Sequence, residues 1–368
     1  MLLRTLKAPD RKNFVFSLWE PSGFSSSSRY CDGYAAHRLD VCSRSAIAEI
    51  LRDLNSFIVA NTIETLIPAG IWATYFLAHY RSSLVVPSAF PLPEPEVIYR
   101  LNNKWAFYEL VESLHVPTPV TLRVRQPDQL AALDIRYPVI IKPSVGGNSK
   151  GVVRCQTQRD LEAYLTANGE ADSGYLIQDF IPGKDAVFGF LALKGEIKAW
   201  TLHTKERHSL RFFWEPRILR MAEKIIAHID YSGPGNFDLM VREDVTDNFF
   251  FLECNPRIWA SFGISCAYGV DFFQLGNQLR KSGCINPSMM THVVKGCEVP
   301  YPSSGKFMRS WLQRPYGLPR GARTGFAWRT LLDPLPTIME RLRMKKMDVL
   351  SDDTAMLDVL RNFLGSQQ

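Results

Sequence analysis

Three oxygen-bearing side chains in neighbouring apolar segments form a candidate metal site. Asp238 lies in the first segment, and Glu253 and Asn255 lie two positions apart in the second. An antiparallel hairpin centred between Val245 and Thr246 would set Asp238 opposite Glu253, with Glu253 and Asn255 on one face. Two carboxylates opposed on a buried sheet repel each other unless a cation lies between them. The pattern predicts an Mg²⁺ site, because this ion prefers oxygen ligands. A surface hairpin with unrelated acids is the alternative, which the strongly apolar strands disfavour.

A glycine-rich loop between two short apolar strands is a candidate phosphate site. It runs Pro143-Ser-Val-Gly-Gly-Asn-Ser-Lys-Gly151, and its glycines free the backbone to turn N–H groups towards phosphate oxygens. Lys142 ends the apolar run before the loop, and Ser149 and Lys150 would add donors. The spacing matches neither a P-loop nor a dinucleotide-binding fingerprint. A plain hairpin turn, and a lysine that extends its ammonium to water, are the alternatives.

The segment Tyr175 to Ile181 is predicted to be an extended apolar strand that passes into a Pro182-Gly183 turn. Its backbone edge could hydrogen-bond a flat heterocycle, and Asp185 could accept hydrogen bonds from sugar hydroxyls. By itself the segment identifies no ligand.

The elements that must position these residues begin with an α/β layer. A strand at Phe14–Leu18, a helix at Ser43–Phe57 and a strand at Ile63–Ile67 predict a parallel sheet. Four prolines between residues 87 and 95 indicate a stiff connection and a domain boundary.

The rest of the chain is predicted to mix helices with short strands. The predicted helices are Lys104–Leu114, Thr157–Ala167, Ile218–Ile229 and Val270–Lys281. The predicted strands are Pro138–Lys142, Gly151–Cys155, Tyr175–Asp179, Val187–Leu193, Ile197–His203, Asn236–Val241 and Asn248–Cys254. Beyond Gly283 the chain is rich in proline and glycine, then basic and helical around Pro336–Met347.

Length and composition exclude several protein classes. The 368 residues include 43 Lys and Arg against 37 Asp and Glu, and a net charge of +6 lacks the dense basic stripe of a nucleic-acid-binding protein. The seven cysteines form no CxxC pair, which disfavours a zinc knuckle and favours a reduced, cytoplasmic compartment. Residues 57–79 lack Lys and Arg, but Glu64 and a Pro-Ala-Gly turn make a membrane span costly.

The order of these motifs resembles the ATP-grasp superfamily, most closely its carboxylate–amine ligases. The motifs are Asn103-Lys104, Val139-Ile-Ile-Lys142-Pro143, the glycine loop, Tyr175 to Ile181 with Gly183, Asp238, and Glu253-Cys-Asn-Pro-Arg257. The resemblance implies an α/β and α+β chain in three parts. These are an abbreviated parallel pre-ATP-grasp layer at 1–98, an ATP-grasp domain at 99–282 with a lid at about 118–182, and a C-terminal extension at 283–368.

The resemblance also implies roles for individual residues. ATP would be bound by Lys104, Lys142, Gly146, Gly147, Ser149, Gly151, Gln178, Asp179, Ile181 and Asp185. Asp238, Glu253 and Asn255 would hold Mg²⁺, with Mn²⁺ as an alternative. Arg257 would stabilise an acyl phosphate, and Lys205 is the second catalytic candidate.

The sequence departs from the family pattern at three places. Gln178 stands where relatives usually carry an acidic residue, and Trp259 stands where many carry small ones. Trp259 would either shape an acceptor pocket or belong to the core, whereas Cys254 should point into the core. The start, Leu2–Lys7, looks like the end of a helix whose preceding strand is missing, which predicts a shortened N-terminus.

The function expected from the resemblance is ATP- and Mg²⁺-dependent ligation of a small carboxylate to an amine. A kinase, a carboxylase and a non-catalytic ATP-binding protein are the alternatives, and no biotin-carrier segment is present to favour the carboxylase. The expected partners are small molecules, without nucleic acid or membrane. The oligomeric state is left open, with a homodimer as one option.

Overall fold

The computed structural model describes residues 11–17, 23–37, 44–146, 150–171, 173–207, 209–242, 249–268, 270–285, 298–300 and 332–333, together with Leu3 and Leu6. Leu3 and Leu6 are both helical, and the rest of the predicted helix at Leu2–Lys7 lies outside the described residues.

The N-terminal layer is a small parallel α/β unit. Strand β1 (Phe14–Ser17) pairs in parallel with β2 (Gly33–Ala36), and α1 (Gly23–Ser26) lies between them in the chain. Helix α2 (Arg44–Ala60) buries Ile47, Ile50, Leu54 and Ile58 against α3 (Ile71–His79). The layer contains a parallel pair, as expected, but its second strand is β2, which the sequence analysis did not predict.

The predicted strand at Ile63–Ile67 is wrong. Helix α2 runs to Ala60, and only Leu66 pairs, through an isolated parallel bridge to Ser88. The partner segment contains Pro87, which has no N–H to donate, so a longer ladder cannot form. Leu66 instead donates to the Pro87 carbonyl at 3.0 Å, and Ala89 donates to the Leu66 carbonyl at 2.7 Å.

Helix α3 is apolar on all sides and is buried in the core of this layer. Trp72 and Phe76 stack with ring centroids 5.0 Å apart, and Tyr75 is buried beside them. Among the described residues, no helix combines the length and the apolar character that crossing a membrane requires.

Two consecutive helices join the N-terminal layer to the rest of the chain. Helix α4 (Pro95–Asn102) begins at the last proline of the predicted stiff connection, and the sequence analysis did not foresee it. Asn103 caps α5 (Lys104–Ser113) by accepting from the backbone N–H groups of Trp105 and Ala106. Ile98 packs in the N-terminal core and Leu101 in the central core, so the boundary predicted at residue 98 falls inside α4.

A four-stranded antiparallel sheet lies within the segment predicted to be the lid, and it is called the lid sheet below. Its order is β3 (Thr121–Val124), β6 (Tyr175–Asp179), β4 (Val139–Pro143) and β5 (Val153–Cys155). Helix α6 (Gln158–Asn168) and the 3₁₀ turn Pro127–Ala132 pack on one face of this sheet, against Val139, Ile141 and Ile177. The other face of these strands carries Lys142 and Gln178.

A six-stranded antiparallel sheet forms the centre of the molecule. Its order is β11 (Phe249–Asn255), β10 (Gly233–Val241), β7 (Lys184–Leu193), β8 (Glu196–Lys205), β9 (Ser209–Phe212) and β12 (Glu298–Pro300). Helix α7 (Pro216–His228) covers one face, and α8 (Phe262–Tyr268) and α9 (Phe272–Ser282) pack near the other. The strands β9 and β12 and the helix α8 were not predicted.

Of the predicted C-terminal extension, the structure describes residues 283–285, 298–300 and 332–333. Strand β12 lengthens the central sheet by pairing with β9. The Asp333 carboxylate accepts from the Ser28 hydroxyl at 2.7 Å and from the Arg29 N–H at 2.9 Å, which ties this segment to the N-terminal layer. The predicted helix around Pro336–Met347 lies outside the described residues.

Trp259 packs directly on the backbone of the central sheet because Gly189 has no side chain. A Cβ built on Gly189 would lie 2.2 Å from Trp259 Cζ2. We therefore expect Gly189→Ala to lower the free energy of unfolding by about 1–3 kcal/mol, measured by urea denaturation. Adding Trp259→Leu should recover part of the loss, and strictly additive losses would contradict the steric explanation.

Candidate active site

The hairpin of β10 and β11 has the register that the sequence predicts around its acidic residues. Asp238 pairs with Glu253, and Asn236 pairs with Asn255. The register shifts after Asp238, where Leu239 pairs with Phe251, so the remainder of the hairpin is offset by a β-bulge.

Strand alternation separates this hairpin into a core face and a polar face. Phe237, Leu239 and Cys254 pack in the central core, as predicted for Cys254. Asp238, Glu253 and Asn255 therefore lie on the opposite face. The centre of the predicted turn falls in residues 243–248, outside the described part of the chain.

Amide and guanidinium groups hold the polar face in place. Asn255 Nδ2 donates to Asp238 Oδ2 at 3.0 Å, and Asn236 Nδ2 donates to Asp238 Oδ1 at 3.2 Å. Arg257 Nη2 donates to Asn255 Oδ1 at 3.1 Å, and Nη1 donates to the Ile258 carbonyl at 3.2 Å. Asn236 was missed by the sequence analysis, although its position two residues before Asp238 places it on the same face.

Two buried lysines converge on Glu253. Lys104 Nζ lies 3.6 Å from Glu253 Oε2 and donates to the Gly146 carbonyl. Lys142 Nζ donates to Gln178 Oε1 at 3.0 Å, and its charge acts on Glu253. Helix α5 supplies the first lysine and the lid sheet the second, so two elements distant in sequence deliver positive charge to one carboxylate.

The two carboxylates are in different electrostatic states. Burial and the charge of Glu253 raise the pKa of Asp238, and the charges of Lys205 and Arg257 only partly offset this. Burial would also raise the pKa of Glu253, but Lys104 and Lys142 hold it below its ordinary value. Glu253 is therefore ionised, and a cation beside the pair would favour the ionised form of Asp238 as well.

The donor set fits a hard divalent cation. Within the described residues, no group of three or more His, Cys, Asp and Glu side chains is placed to hold a metal ion. The polar face instead offers two carboxylates and amide oxygens, which suit Mg²⁺ because this ion keeps several sites for water and phosphate.

The two predicted catalytic cations, Arg257 and Lys205, lie in different environments. Arg257 is half-buried and tied to Asn255. Lys205 ends β8 with an exposed side chain, yet its charge lowers the pKa of Asp238. Both therefore influence the carboxylate pair. Arg257 does so through its hydrogen bond to Asn255, and Lys205 through the electrostatic effect of its charge on Asp238.

The glycine loop is described only at its ends, since Gly147 and Ser149 lie outside the described residues. Gly146 has φ 142° and Gly151 has φ 69°, conformations that favour glycine. A Cβ at Gly151 would also lie 3.0 Å from Pro143 Cγ. The Gly151 carbonyl accepts from the Tyr164 hydroxyl at 2.7 Å, which ties the end of the loop to α6.

The predicted base-binding residues follow one another at the end of β6. Gln178 is buried on the face that carries Lys142, and its Nε2 donates to Thr121 Oγ1 at 2.9 Å. The Asp179 N–H donates to the Val120 carbonyl. Ile181 is half-buried and lies beyond the last paired residue of β6. Asp185 is exposed on β7, opposite Met240 of the central sheet.

Trp259 belongs to the core. Its side chain is 4% exposed and makes edge contacts with Phe262 and Phe272, at centroid distances of 4.8 and 5.2 Å. Of the two interpretations that its position allowed, the core interpretation is confirmed.

Comparison with known protein families matches residues 101–261 to the ATP-grasp domain. Residues 101–261 of this chain are therefore similar to an ATP-grasp domain. The match contains both lysines, the glycine loop and the complete Asp238–Glu253–Asn255 face, and the expected ATP-grasp fold is confirmed.

Individual relatives divide between carboxylases and ligases. A putative urea carboxylase of Emericella nidulans is 27% identical over 215 residues, which cover 51% of this chain and 17% of that protein. The L-amino acid ligase of Bacillus licheniformis superposes with a TM-score of 0.53 at 17% identity, covering 71% of this chain and 65% of the other. The biotin carboxylase domain of Hydrogenobacter thermophilus 2-oxoglutarate carboxylase, solved with MgADP and bicarbonate, has a TM-score of 0.59 at 16% identity and covers 79% and 69%. The structural likenesses show the ATP-grasp fold.

His203 lies on β8 of the ATP-grasp domain and was not singled out by the sequence. It is fully buried, and its Nε2 hydrogen-bonds to Ser261 Oγ at 3.1 Å. Within the described residues, its Nδ1 has no hydrogen-bond partner. Burial, and secondarily the charge of Lys205, lower its pKa from 6.5 to about 3.

This buried imidazole should make the protein sensitive to acid. Below pH 6.5 the His203 imidazole is protonated in the unfolded chain but stays neutral in the folded protein. Stability is therefore lost as the pH falls towards the folded pKa of about 3. We expect the loss in unfolding free energy from pH 7 to pH 5 to be about 2 kcal/mol smaller in His203→Gln than in the unmodified protein. Urea denaturation at both pH values measures this, and equal losses would contradict it.

Proposed function

We propose that the protein is an ATP- and Mg²⁺-dependent ligase that activates a small carboxylate as an acyl phosphate and joins it to an amine, releasing ADP and phosphate. The convergence of Lys104 and Lys142 on the Asp238–Glu253 pair carries the proposal. Phosphoryl transfer depends on positioning and charge neutralisation, and this arrangement of charges is suited to both.

This charge arrangement supports an assignment of metal and phosphate ligands. Asp238, Glu253 and Asn255 would hold Mg²⁺, which when bound would neutralise charge on the transferring phosphoryl group. Lys104 and Lys142 would contact ATP phosphates. The glycine loop, with Gly146, Gly147, Ser149 and Gly151, would close over them with its backbone N–H groups.

The nucleoside would lie against the end of β6. Gln178, Asp179 and Ile181 would frame the adenine, and Asp185 would accept from the ribose. Ile181 supports this assignment because it follows the last paired residue of the strand, where the sheet no longer uses the backbone.

Arg257 and Lys205 would serve the activated substrate. A carboxylate oxygen would attack the γ-phosphorus and ADP would leave. The amine nitrogen would then attack the acyl carbon, phosphate would leave with the electron pair of the broken C–O bond, and the nitrogen would lose a proton to the departing phosphate or to solvent. Arg257, which donates to Asn255, would stabilise the acyl phosphate, and Lys205 would reach the γ-phosphate or the substrate carboxylate.

A carboxylase is the second candidate, since the putative urea carboxylase and the domain solved with bicarbonate are among the similar proteins. Both reactions would begin with the same step, because bicarbonate is itself a small carboxylate. They differ in the acceptor and in the product.

Product analysis separates the candidates. The full chain would be incubated with ATP and Mg²⁺ and either pooled amino acids or bicarbonate with the acceptors biotin and urea. ADP would be measured by chromatography and new products by mass spectrometry. ADP with a new amide supports the ligase, and ADP with a carboxylated product supports the carboxylase. ATP binding without ADP in either pool would contradict both.

A further inference from the structure

A buried row of three polar side chains crosses the face of the lid sheet that is opposite α6. Thr121 on β3 pairs directly with Gln178 on β6. Lys142 on β4 lies two residues beyond Ile140, the partner of Gln178, and so faces the same side of the sheet. The three side chains are 3%, 5% and 6% exposed in that order. Thr121 has been assigned no role so far.

The hydrogen bonds in this row run in one direction. The Thr121 hydroxyl donates to the Pro119 carbonyl at 2.9 Å, which uses its single hydrogen. Its oxygen must therefore accept from Gln178 Nε2, at 2.9 Å. The amide oxygen is thereby turned towards Lys142 Nζ, which can only donate, at 3.0 Å. Both ends of the row thus require the same orientation of the Gln178 amide.

The hydrogen bond from Lys142 to Gln178 opposes the attraction of Lys142 to nearby carboxylates. Glu253 and Asp238 both attract its ammonium electrostatically, and Lys104 repels it. Without a hydrogen bond to hold it, the ammonium would move towards Asp238 and Glu253 on the polar face of the hairpin. The neutral amide of Gln178 instead holds it at the lid sheet, where, among the described residues, it forms no ion pair with either carboxylate.

We infer that Thr121 is a positioning residue, which orients Gln178 and through it holds the Lys142 ammonium on the face of the lid sheet opposite α6 for an ATP phosphate. The inference rests on the proposed function, because it takes ATP as the ligand of Lys142.

Calorimetric titration of the full chain with ATP in the presence of Mg²⁺ tests the inference. Thr121→Val keeps the shape and removes the hydroxyl, and we expect the Kd for ATP to rise about tenfold, or about 1.4 kcal/mol. Thr121→Ser keeps the hydroxyl and should stay within about twofold of the unmodified protein. Thr118→Val is the matched control, because Thr118 donates to the Phe251 carbonyl of the central sheet rather than to the row, and its Kd should not change.

A double-mutant cycle with Gln178→Leu separates positioning from a general structural effect. If Thr121 acts through Gln178, adding Thr121→Val to Gln178→Leu should raise the Kd no further, whereas a structural defect would add to it. Thr121→Ala replaces the valine variant if that variant does not fold.

The two possible failures give different results. Equal ATP affinities for the unmodified protein and Thr121→Val, or additive effects in the cycle, would overturn the role of Thr121 alone. Absence of ATP binding by the unmodified protein would overturn the proposed function and this inference with it.

Discussion

Glu253→Gln should reduce ADP formation by about a thousandfold. The substitution keeps the shape of the side chain and removes the charge that faces Lys104 and pairs with Asp238 across the hairpin. The metal would lose an anionic ligand, and the developing phosphoryl charge would lose the cation that stabilises it. ADP release with ATP, Mg²⁺ and the pooled amino acids measures the effect, and Asp238→Asn should behave in the same way.

Glu215→Gln is a matched control for this experiment. Glu215 caps the N-terminus of α7, where its Oε1 accepts from the Arg217 N–H at 3.0 Å, and α7 packs on the other face of the central sheet. The control should lose about 1 kcal/mol of stability at most and keep its rate. Full ADP formation by Asp238→Asn and Glu253→Gln would remove the metal assignment.

The register at the acidic hairpin was predictable because the information is local. The two apolar strands flank a short polar turn, so alternation on each strand sets which residues face the core. That argument placed Asp238 opposite Glu253 and Cys254 in the core. It could not foresee the bulge beyond Asp238, because alternation does not show where an extra residue is accommodated.

Features that depend on distant strands escaped the sequence analysis. Thr121 meets Gln178 only because β3 and β6 are neighbours in the lid, and 57 residues separate them in the chain. The apolar segment at Ile63–Ile67 has the composition of a strand, but its neighbour contains Pro87 and offers little to pair with. Composition indicates that a segment can form a strand, whereas pairing depends on what the fold places beside it.

Lys142→Met should weaken ATP binding about a hundredfold and remove a pH dependence of stability. The ammonium is buried against a neutral amide, and burial lowers its pKa from 10.5 to about 8 despite the opposing charge of Glu253. Charge-assisted hydrogen bonds to phosphate are among the stronger polar interactions, so their loss explains the reduced affinity. Calorimetric titration with ATP and Mg²⁺ measures it.

The stability effect follows from the same buried charge. Below pH 8 the lysine is charged in both the folded and the unfolded chain, and folding bears the full cost of burying the charge. Between pH 8 and 10.5 the folded protein releases the proton first, so the cost disappears as the pH rises. From pH 7 to about pH 9.5 the unmodified protein should therefore gain about 2 kcal/mol of unfolding free energy relative to Lys142→Met. Lys224→Met, which alters an exposed ammonium bonded to the Leu114 carbonyl, should show no such change, and an unchanging difference for Lys142→Met would contradict the buried charge.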